Sequence, residues 1–264
     1  MHGPGDATPV AIAGVEVGEV SAPWLARALE APTPFSLDRG ALALDPSLAD
    51  VAARTDALAR WAAHARRRWD LPGWRDEAIA IRSPDGVPLA AIERALLRPF
   101  GLELRSVQAC AWTAGAGGPL IWVARRAWSK PVDPGRLDAA VGGGIAGLDD
   151  ALATLLRECR EEAGLDEAIA RGARPAGSLE LRYATDFDGL PALHREHVTL
   201  YELELPPGCV PVPADGEHES IEPMTPAEAL ASIDAGGWTR EGAQATLDLI
   251  LRRGWMPAPG AAPR

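Results

Sequence analysis

Val141–Leu165, with the sequence VGGGIAGLDDALATLLRECREEAGL, decides the fold of this chain. A glycine-rich turn leads into a stretch with helical periodicity. Apolar residues recur on one face of that helix: Leu152, Leu155, Leu156, Cys159 and Ala163. Asp149 or Asp150 is a suitable N-cap residue, and Gly164 is a suitable residue to follow the last turn. The stretch therefore predicts a loop that enters a short amphipathic helix.

The polar side of this helix carries three glutamates. Glu158 and Glu162 are four residues apart and lie side by side, and Glu161 lies just beyond them. Like charges at this spacing destabilise a helix by a few tenths of a kcal/mol. Carboxylate oxygens are also the ligands that Mg²⁺ and Mn²⁺ prefer. We therefore interpret the glutamates as a site for a hard divalent cation.

The same stretch resembles the signature of the Nudix hydrolases, G-x5-E-x7-R-E-U-x-E-E-x-G-U, in which U is an apolar residue. The match begins at Gly143 and continues through these positions: Arg157, Glu158, Cys159, Glu161, Glu162, Gly164 and Leu165. One position departs from the pattern, because Asp149 stands where the first glutamate would be. The resemblance implies an α/β fold, namely a Nudix α/β/α sandwich with a mixed sheet.

The resemblance also implies which residues perform the chemistry. We expect Glu158 and Glu162 to hold Mg²⁺ or Mn²⁺, and Glu161 to bind the metal directly or through water. Arg157 is the fourth catalytic candidate, and we expect it to anchor the preceding loop by pairing with Asp149.

A further glutamate is expected from a loop that follows the helix. Within Asp215–Glu219 we predict Glu217 as a metal ligand, and either Glu217 or Glu219 as the general base. His194 and His197 are weaker candidates for phosphate contacts, because most lone histidines on a surface have no such role.

The substrate and the metal would meet the turn before the helix. Gly142, Gly143 and Gly144 lack a Cβ and allow a phosphate or a metal to come close, with Gly143 assigned to the metal. Three cations precede this turn and could contact phosphate: Arg125, Arg126 and Lys130. Trp128 could stack on a heteroaromatic or cationic ring, as could the less favoured Trp112 and Trp122.

Composition narrows the class of protein. The 264 residues carry a net charge of −11, which argues against a nucleic-acid-binding protein, because such a protein needs a basic face. No apolar run is long enough to span a membrane, and no secretory signal is recognisable. The three cysteines have no metal-binding spacing, so we expect a reducing, cytoplasmic location without disulfides.

Turn signals and composition predict two domains. We expect a flexible N-terminal arm at 1–20, a smaller α/β domain at 21–102, the Nudix domain at 103–256 and a flexible tail at 257–264. The predicted helices cover 47–69, 89–98, 225–234 and 241–253, besides the glutamate-bearing helix. The predicted strands cover 77–82, 107–112, 120–126, 177–183 and 198–205.

Further stretches resemble one Nudix subfamily, the proteins related to thiamine pyrophosphokinase, which carry an additional N-terminal domain. These stretches include Ile92–Gly101 (IERALLRPFG), Ile121–Gly147 and PADGEHES at 213–220. The resemblance implies hydrolysis of thiamine diphosphate, or of its oxidised or damaged analogues, to the monophosphate and phosphate.

Other functions stay open at this point. One is a Nudix pyrophosphohydrolase for ADP-ribose or another nucleoside diphosphate compound. A second is a Nudix module that binds a ligand without catalysis. An isomerase of the isopentenyl diphosphate type would need a reactive cysteine, for which Cys110 is weak support. A small-molecule diphosphate is the expected partner in the first two cases, and the oligomeric state is left open.

Overall fold

The computed structural model describes residues 7–69, 71–130, 132–147 and 149–256. The chain divides into two units. Unit 1 holds the described residues up to Leu104, residues 146–147 and Glu180–Glu196. Unit 2 holds Arg105–Ile145, Asp149–Leu179 and the described residues from His197 onwards. The predicted division at 102–103 therefore differs from the structure at the hairpin segment 180–196, which is grouped with unit 1.

Unit 1 begins with a four-stranded sheet in the order β2-β1-β4-β3. Its strands are β1 Thr8–Ile12, β2 Val15–Val20, β3 Phe35–Asp38 and β4 Ala41–Leu44. The pair β1–β4 is parallel, and β1–β2 and β3–β4 are antiparallel. The other elements are α1 Ala22–Ala28, α2 Val51–Trp69, β5 Ala78–Arg82, β6 Pro88–Glu93 and a 3₁₀ turn at Arg94–Leu96.

The predicted flexible arm at 1–20 is wrong for residues 8–20. These residues form the β1–β2 hairpin, whose turn residues Ala13 and Gly14 both have positive φ, as tight hairpin turns require. Val10 and Val20 are almost fully buried in the core of unit 1. The alternation of apolar and polar residues in this segment therefore favours a buried hairpin, although the segment lies near the N-terminus. Residues 1–6 and the predicted tail at 257–264 lie outside the described residues.

The predicted helix at 89–98 is also wrong. The segment instead forms β6, which pairs with β5, and then the 3₁₀ turn. Leu89, Ala90 and Ile92 are buried by this pairing. A short apolar run is compatible with either a strand or a helix, and here a tight hairpin with β5 decides for the strand.

Unit 1 is stabilised by an aromatic cluster. The ring of Phe35 lies 5.3 Å from that of Trp61 and 5.5 Å from that of Phe100. Trp61 and Phe100 meet edge to face at 5.3 Å, an arrangement that the aromatic quadrupoles favour. The sheet, α2 and the 3₁₀ turn thus bury one common core.

A seven-stranded sheet has the order β11-β12-β7-β8-β13 along its main path, and unit 2 holds its strands except for the parts of β7, β11 and β12 that are grouped with unit 1. The strands are β7 Glu103–Gly115, β8 Gly118–Arg126, β9 Leu137–Ala139, β10 Val141–Gly144, β11 Arg174–Phe187, β12 Leu190–Glu204 and β13 His218–Met224. β10 pairs with β7, and β9 pairs with β8. The helices are α3 Ala151–Ala163, α4 Glu167–Ala170, α5 Pro226–Asp234 and α6 Arg240–Arg253.

Alternation along β7 places helices on both faces of this sheet. Val107 and Ala109 belong to the same buried cluster as Leu155 of α3. Cys110 points to the other face, because successive strand residues alternate, and there its thiol meets Thr246 of α6. The arrangement is the predicted α/β/α sandwich. No helix in the described part of the chain is long and apolar enough to cross a bilayer.

Candidate metal centre

The local signals that predicted α3 are confirmed. Asp150 is the N-cap residue, and its Oδ1 accepts a hydrogen bond from the Ala153 N–H at 2.7 Å. Gly164 ends the helix in the left-handed conformation, with φ of 61°. Leu155 and Cys159 are fully buried, so the apolar face of the helix packs on the sheet and its glutamates lie beside β10.

Glu162 is the most enclosed of these glutamates. It is 4% exposed, and its Oε2 accepts a hydrogen bond from the backbone N–H of Gly142 at 2.8 Å. Burial raises the pKa of Glu162 well above its usual value, and the hydrogen bond from Gly142 opposes that shift. Nearby Glu158 and Glu217 raise this pKa further, so a bound cation would relieve both burial and repulsion.

Glu158 lies against the glycine strand. Its side chain is 12% exposed, and a Cβ added to Gly143 would collide with its carboxylate. Burial raises the pKa of Glu158, while Arg157 lowers it. The Glu158 carboxylate thus occupies the space that a side chain at position 143 would fill, and the close approach of metal or phosphate to Gly143 stays a prediction.

Arg157 does not have the predicted partner. It pairs with Glu158, with 2.8 Å between Nη2 and Oε1, and with Glu161, with 3.3 Å between Nη1 and Oε2. The expected pair with Asp149 is therefore a wrong prediction. Helical spacing explains the contact with Glu161, which lies one turn away on the same helix, while Glu158 is the adjacent residue, whose carboxylate the long arginine side chain also reaches. Arg157 holds the two carboxylates that flank it.

A loop before β13 completes the cluster. Glu162, Asp215 and Glu217 each place one carboxylate oxygen within 4.8 Å of those of the other two. Asp215 Oδ1 accepts a hydrogen bond from the Glu217 N–H at 2.8 Å, which fixes the loop. Glu217 thus lies close to Glu162, and its role as a metal ligand stays a prediction. Asp215 was missed, although its place two residues before Glu217 in an acidic loop was a usable signal.

Two contacts join this loop to the turn after β8. The ammonium group of Lys130 pairs with the Glu217 carboxylate. The backbone N–H of Trp128 donates a hydrogen bond to Glu219 Oε1 at 3.1 Å. Glu219 therefore holds the turn, and of the two base candidates only Glu217 belongs to the carboxylate cluster that includes Glu162.

Arg125 and Arg126, the other two predicted phosphate ligands, donate hydrogen bonds to the segment between Val132 and Asp138. Arg125 donates to the Gly135 carbonyl oxygen at 2.9 Å. Arg126 donates to the Val132 carbonyl oxygen at 3.1 Å and to Asp138 Oδ2 at 3.2 Å. These contacts give both arginines a structural task, and their contact with phosphate stays a prediction.

A buried polar group beside Arg126 was not found from the sequence. Asp138 of β9 accepts hydrogen bonds from Gln108 Nε2 at 2.8 Å and from its neighbour's backbone N–H. Burial raises the pKa of Asp138, and Arg126 opposes the shift. Gln108 lies opposite Gly142 in the β7–β10 pairing, so this group adjoins the glycine strand. The strand order brings these residues together, and no sequence spacing shows it.

The three tryptophans near the turn differ in exposure. Trp112 and Trp122 are buried, and the Trp122 Nε1–H donates to Thr113. Trp128 is 70% exposed, and a Cβ at Gly135 would collide with its ring. Trp128 alone of the three therefore offers an open ring face.

His194 and Cys110, two weaker candidates from the sequence, do not belong to the carboxylate cluster. His194 is buried in unit 1, where its Nε2 lies 2.8 Å from Glu196 and its Nδ1 accepts from Arg98 at 3.2 Å. Burial raises the pKa of the Cys110 thiol to about 12, which keeps the thiol protonated at neutral pH. Cys110 therefore does not provide the reactive thiolate that the isomerase alternative needs.

The residues present suit a hard divalent cation. The donors are carboxylate oxygens, which Mg²⁺ and Mn²⁺ prefer over softer ligands. Burial and the nearby carboxylates disfavour the charged form of Glu162, which a bound cation would stabilise, and Gly143 leaves room for the Glu158 carboxylate. The site therefore fits the predicted metal.

Comparison with family models divides the chain at residue 104, where the first segment of unit 1 also ends. A NUDIX domain model matches residues 104–243. A model of a domain of unknown function, DUF4743, matches residues 2–104. The part of the chain matched by the first model contains the whole carboxylate cluster.

Two curated relatives come from Arabidopsis thaliana. Nudix hydrolase 20, chloroplastic, is 30% identical over 188 residues, which are 70% of this chain and 49% of the relative. Nudix hydrolase 24, chloroplastic, is 29% identical over 200 residues, which are 75% of this chain and 53% of the relative. The chain thus spans about half the length of the curated relatives it matches. The prediction of an enzyme agrees with the names of both relatives.

One solved structure has a comparable fold. The protein DR0079 from Deinococcus radiodurans is 25% identical, with a TM-score of 0.51, and the match covers 67% of this chain and 98% of that protein. Together with the NUDIX model, this likeness confirms the predicted fold class.

Proposed function

This chain belongs to the NUDIX domain family, and from that premise we propose that it is a metal-dependent hydrolase that cleaves a diphosphate bond in a small molecule. The observation that carries the proposal is the carboxylate cluster. Glu162, Asp215 and Glu217 each bring one carboxylate oxygen within 4.8 Å of those of the other two, next to Glu158 and the glycine strand. Within this cluster Glu162 is buried, Glu217 is partly exposed and Asp215 is exposed. The retention of Glu158, Glu161 and Glu162 favours a hydrolase over a module that only binds a ligand.

The residues of the cluster have separate tasks in this proposal. Glu158 and Glu162 hold the metal together with Glu217, and Glu161 assists directly or through water. Arg157 keeps Glu158 in place through their contact at 2.8 Å. The β10 backbone at Gly143 would face a bound metal, and Gly142 and Gly144 would leave space for phosphate, because glycine has no Cβ. A bound divalent metal would offset phosphate charge and lower the pKa of a water molecule.

Proton transfer falls to Glu217. Water forms a new bond to phosphorus, the bond from phosphorus to the bridging oxygen breaks, and the proton of the water passes to the Glu217 carboxylate oxygen that does not bind the metal. Glu219 is less suited to this task, because its carboxylate accepts the Trp128 N–H. Lys130, and to a lesser degree Arg125 and Arg126, meet the phosphate oxygens.

We further propose thiamine diphosphate, or its oxidised or damaged analogues, as the substrate. The sequence resemblance to the thiamine-related subfamily supports this choice. The exposed ring of Trp128 supports it as well, because a stacked cationic ring gains roughly 0.5–2 kcal/mol. The products would be the monophosphate and phosphate. ADP-ribose or another nucleoside diphosphate compound is the alternative that the same metal site would serve.

A side-by-side comparison of substrates tests this proposal. The values of kcat/KM are measured with Mg²⁺ and with Mn²⁺ for thiamine diphosphate, its oxo and oxy analogues, ADP-ribose and a nucleoside triphosphate. We expect hydrolysis that stops in EDTA, with the thiamine compounds favoured. A preference of about tenfold or more for ADP-ribose or the triphosphate, about 1.4 kcal/mol, would replace the thiamine substrate and keep the hydrolase. Absence of metal-dependent hydrolysis of every compound would overturn the hydrolase itself.

A further inference from the structure

Lys130 is unusual both in the sequence and in the structure. It is the single lysine among the 26 lysine and arginine residues of the chain. Its side chain is 13% exposed, and its ammonium group pairs with the Glu217 carboxylate. The one lysine of an arginine-rich chain therefore lies at the edge of the carboxylate cluster.

Glu217 cannot serve two cations equally well. One of its oxygens lies within 4.8 Å of one oxygen each of Glu162 and Asp215, so a cation held by these three carboxylates draws on the same group that pairs with Lys130. A divalent ion carries twice the charge of the ammonium group and would weaken or replace this pair. Metal binding and the Lys130–Glu217 pair are therefore in competition.

A lysine at position 130 suits a pair with Glu217 that has to break when metal binds. An arginine can hold a carboxylate with a planar, two-pronged guanidinium, as Arg253 does with Glu202 in this chain. A lysine offers a compact charge on a flexible stem and is easier to redirect. The neighbouring Arg125 and Arg126 already donate to the Gly135 carbonyl oxygen and to Asp138.

We propose that Lys130 is a phosphate-binding residue that Glu217 holds in the metal-free protein and that metal binding redirects to the diphosphate. The inference rests on the proposed function, because it takes the diphosphate as the ligand of the metal. Lys130 thereby links the two events: the phosphate contact becomes available only when the metal is in place. A diphosphate without metal would meet the carboxylates while Lys130 is still engaged.

Two variants of Lys130 test the competition. Isothermal titration with Mg²⁺ alone measures metal affinity, and kcat/KM with Mg²⁺ measures turnover of the preferred substrate. In Lys130→Met we expect Mg²⁺ to bind about tenfold more tightly, because the competing cation is gone, while kcat/KM falls about tenfold or more. In Lys130→Arg we expect weaker Mg²⁺ binding, because the guanidinium holds Glu217 more firmly.

Opposite changes in metal affinity and turnover are the diagnostic result. Loss of a merely structural contact would lower both together. Arg171→Met is the matched control, because it removes one positive charge from an exposed pair with Glu167 on α4. We expect this variant to leave Mg²⁺ affinity and kcat/KM within about twofold of the parent values.

The single lysine also allows direct observation. Reductive methylation with carbon-13-labelled formaldehyde labels Lys130 and the N-terminal amine, and Lys130→Met identifies the lysine signal by its absence. We expect this signal to shift on addition of Mg²⁺, and to shift again when methylenediphosphonate, which cannot be hydrolysed at its P–C–P bridge, is added with Mg²⁺. Methylenediphosphonate without Mg²⁺ should leave the signal nearly unchanged.

The results of these experiments separate three claims: the exchange at Lys130, its contact with phosphate and the hydrolase function. Unchanged Mg²⁺ affinity in Lys130→Met, or a lysine signal that ignores Mg²⁺ at saturation, overturns the exchange even if the enzyme hydrolyses diphosphates. Unchanged kcat/KM in Lys130→Met overturns the phosphate contact. If the parent protein hydrolyses no diphosphate, the proposed function fails, and the titration and resonance experiments still report whether the metal displaces Lys130.

Discussion

Glu162 on α3 accepts a hydrogen bond from the backbone N–H of Gly142 on β10, with 2.8 Å between Oε2 and the nitrogen. This contact ties the glutamate-bearing helix to the glycine strand and determines where the carboxylate lies. Glu162 is only 4% exposed, and the hydrogen bond does not compensate for burial of its charge, because its pKa is raised well above the usual value. The position therefore favours metal binding at the expense of stability without metal.

The first prediction concerns the stability of the metal-free protein. The pKa of Glu162 is raised by folding, so the unfolded chain releases this proton at lower pH than the folded one. Stability is then lost as pH rises from the unfolded pKa through the folded pKa. Glu162→Gln keeps an acceptor for the Gly142 N–H and removes the titration. We expect its melting temperature in EDTA to exceed that of the parent at neutral pH and to approach it in acid.

Thermal unfolding between about pH 4 and pH 8 measures this difference. For a chain of this size, each kcal/mol shifts the melting temperature by roughly 2–4 °C. Glu161→Gln is the control, because the Glu161 side chain is 41% exposed and should show a much smaller gain. A Glu162→Gln protein that melts below the parent at neutral pH would contradict the assigned burial cost.

The second prediction concerns catalysis by the same variant. Glu162→Gln removes one charged ligand from the cluster, so kcat/KM with Mg²⁺ should fall about a hundredfold or more, equivalent to about 2.7 kcal/mol. The fold should persist, since stability without metal rises. Steady-state kinetics over a range of Mg²⁺ concentrations measures the loss. A variant with parental activity at ordinary Mg²⁺ would remove Glu162 from the metal site.

The third prediction separates two neighbouring glycines. A Cβ at Gly143 would collide with the Glu158 carboxylate, whereas a Cβ at Gly142 would meet Gln108 Cγ at an ordinary 3.6 Å. Gly143→Ala should therefore displace Glu158 and weaken Mg²⁺ binding about tenfold or more, as disturbed metal ligation does. Gly142→Ala should have the smaller effect. Isothermal titration with Mg²⁺ decides, and equal losses in both variants would show that the Glu158 contact is not the cause.

Local signals in the sequence predicted α3 well. The N-cap at Asp150, the end at Gly164 and the buried Leu155–Cys159 face all depend on residues close in sequence. The same reasoning assigned Glu217 to the metal without showing which groups surround it. Sequence spacing gives a rotation about a helix axis, and therefore it placed Glu158 beside Glu162 correctly.

Features that depend on pairing between distant segments could not be predicted in this way. The segment 89–98 has an apolar run that suits a helix, and its pairing with β5 decides otherwise. Asp138 joins Gln108 only because β9 and β10 pair with the adjacent strands β8 and β7. Strand order is set by the whole sheet, so these contacts have no local signal.

The last prediction tests that buried polar group. Asp138 accepts hydrogen bonds from Gln108 and Arg126, and its side chain is 13% exposed. Asp138→Asn removes the charge that balances Arg126 and exchanges an acceptor for a donor, so we expect a loss of about 1–3 kcal/mol in the free energy of unfolding. Denaturant unfolding measures it, with Asp248→Asn as control, because Asp248 pairs with Arg252 at a more exposed position, 33% for its side chain. That control should lose less than about 1 kcal/mol. A parental stability for Asp138→Asn would mean that Arg126 and Gln108 do not depend on this carboxylate.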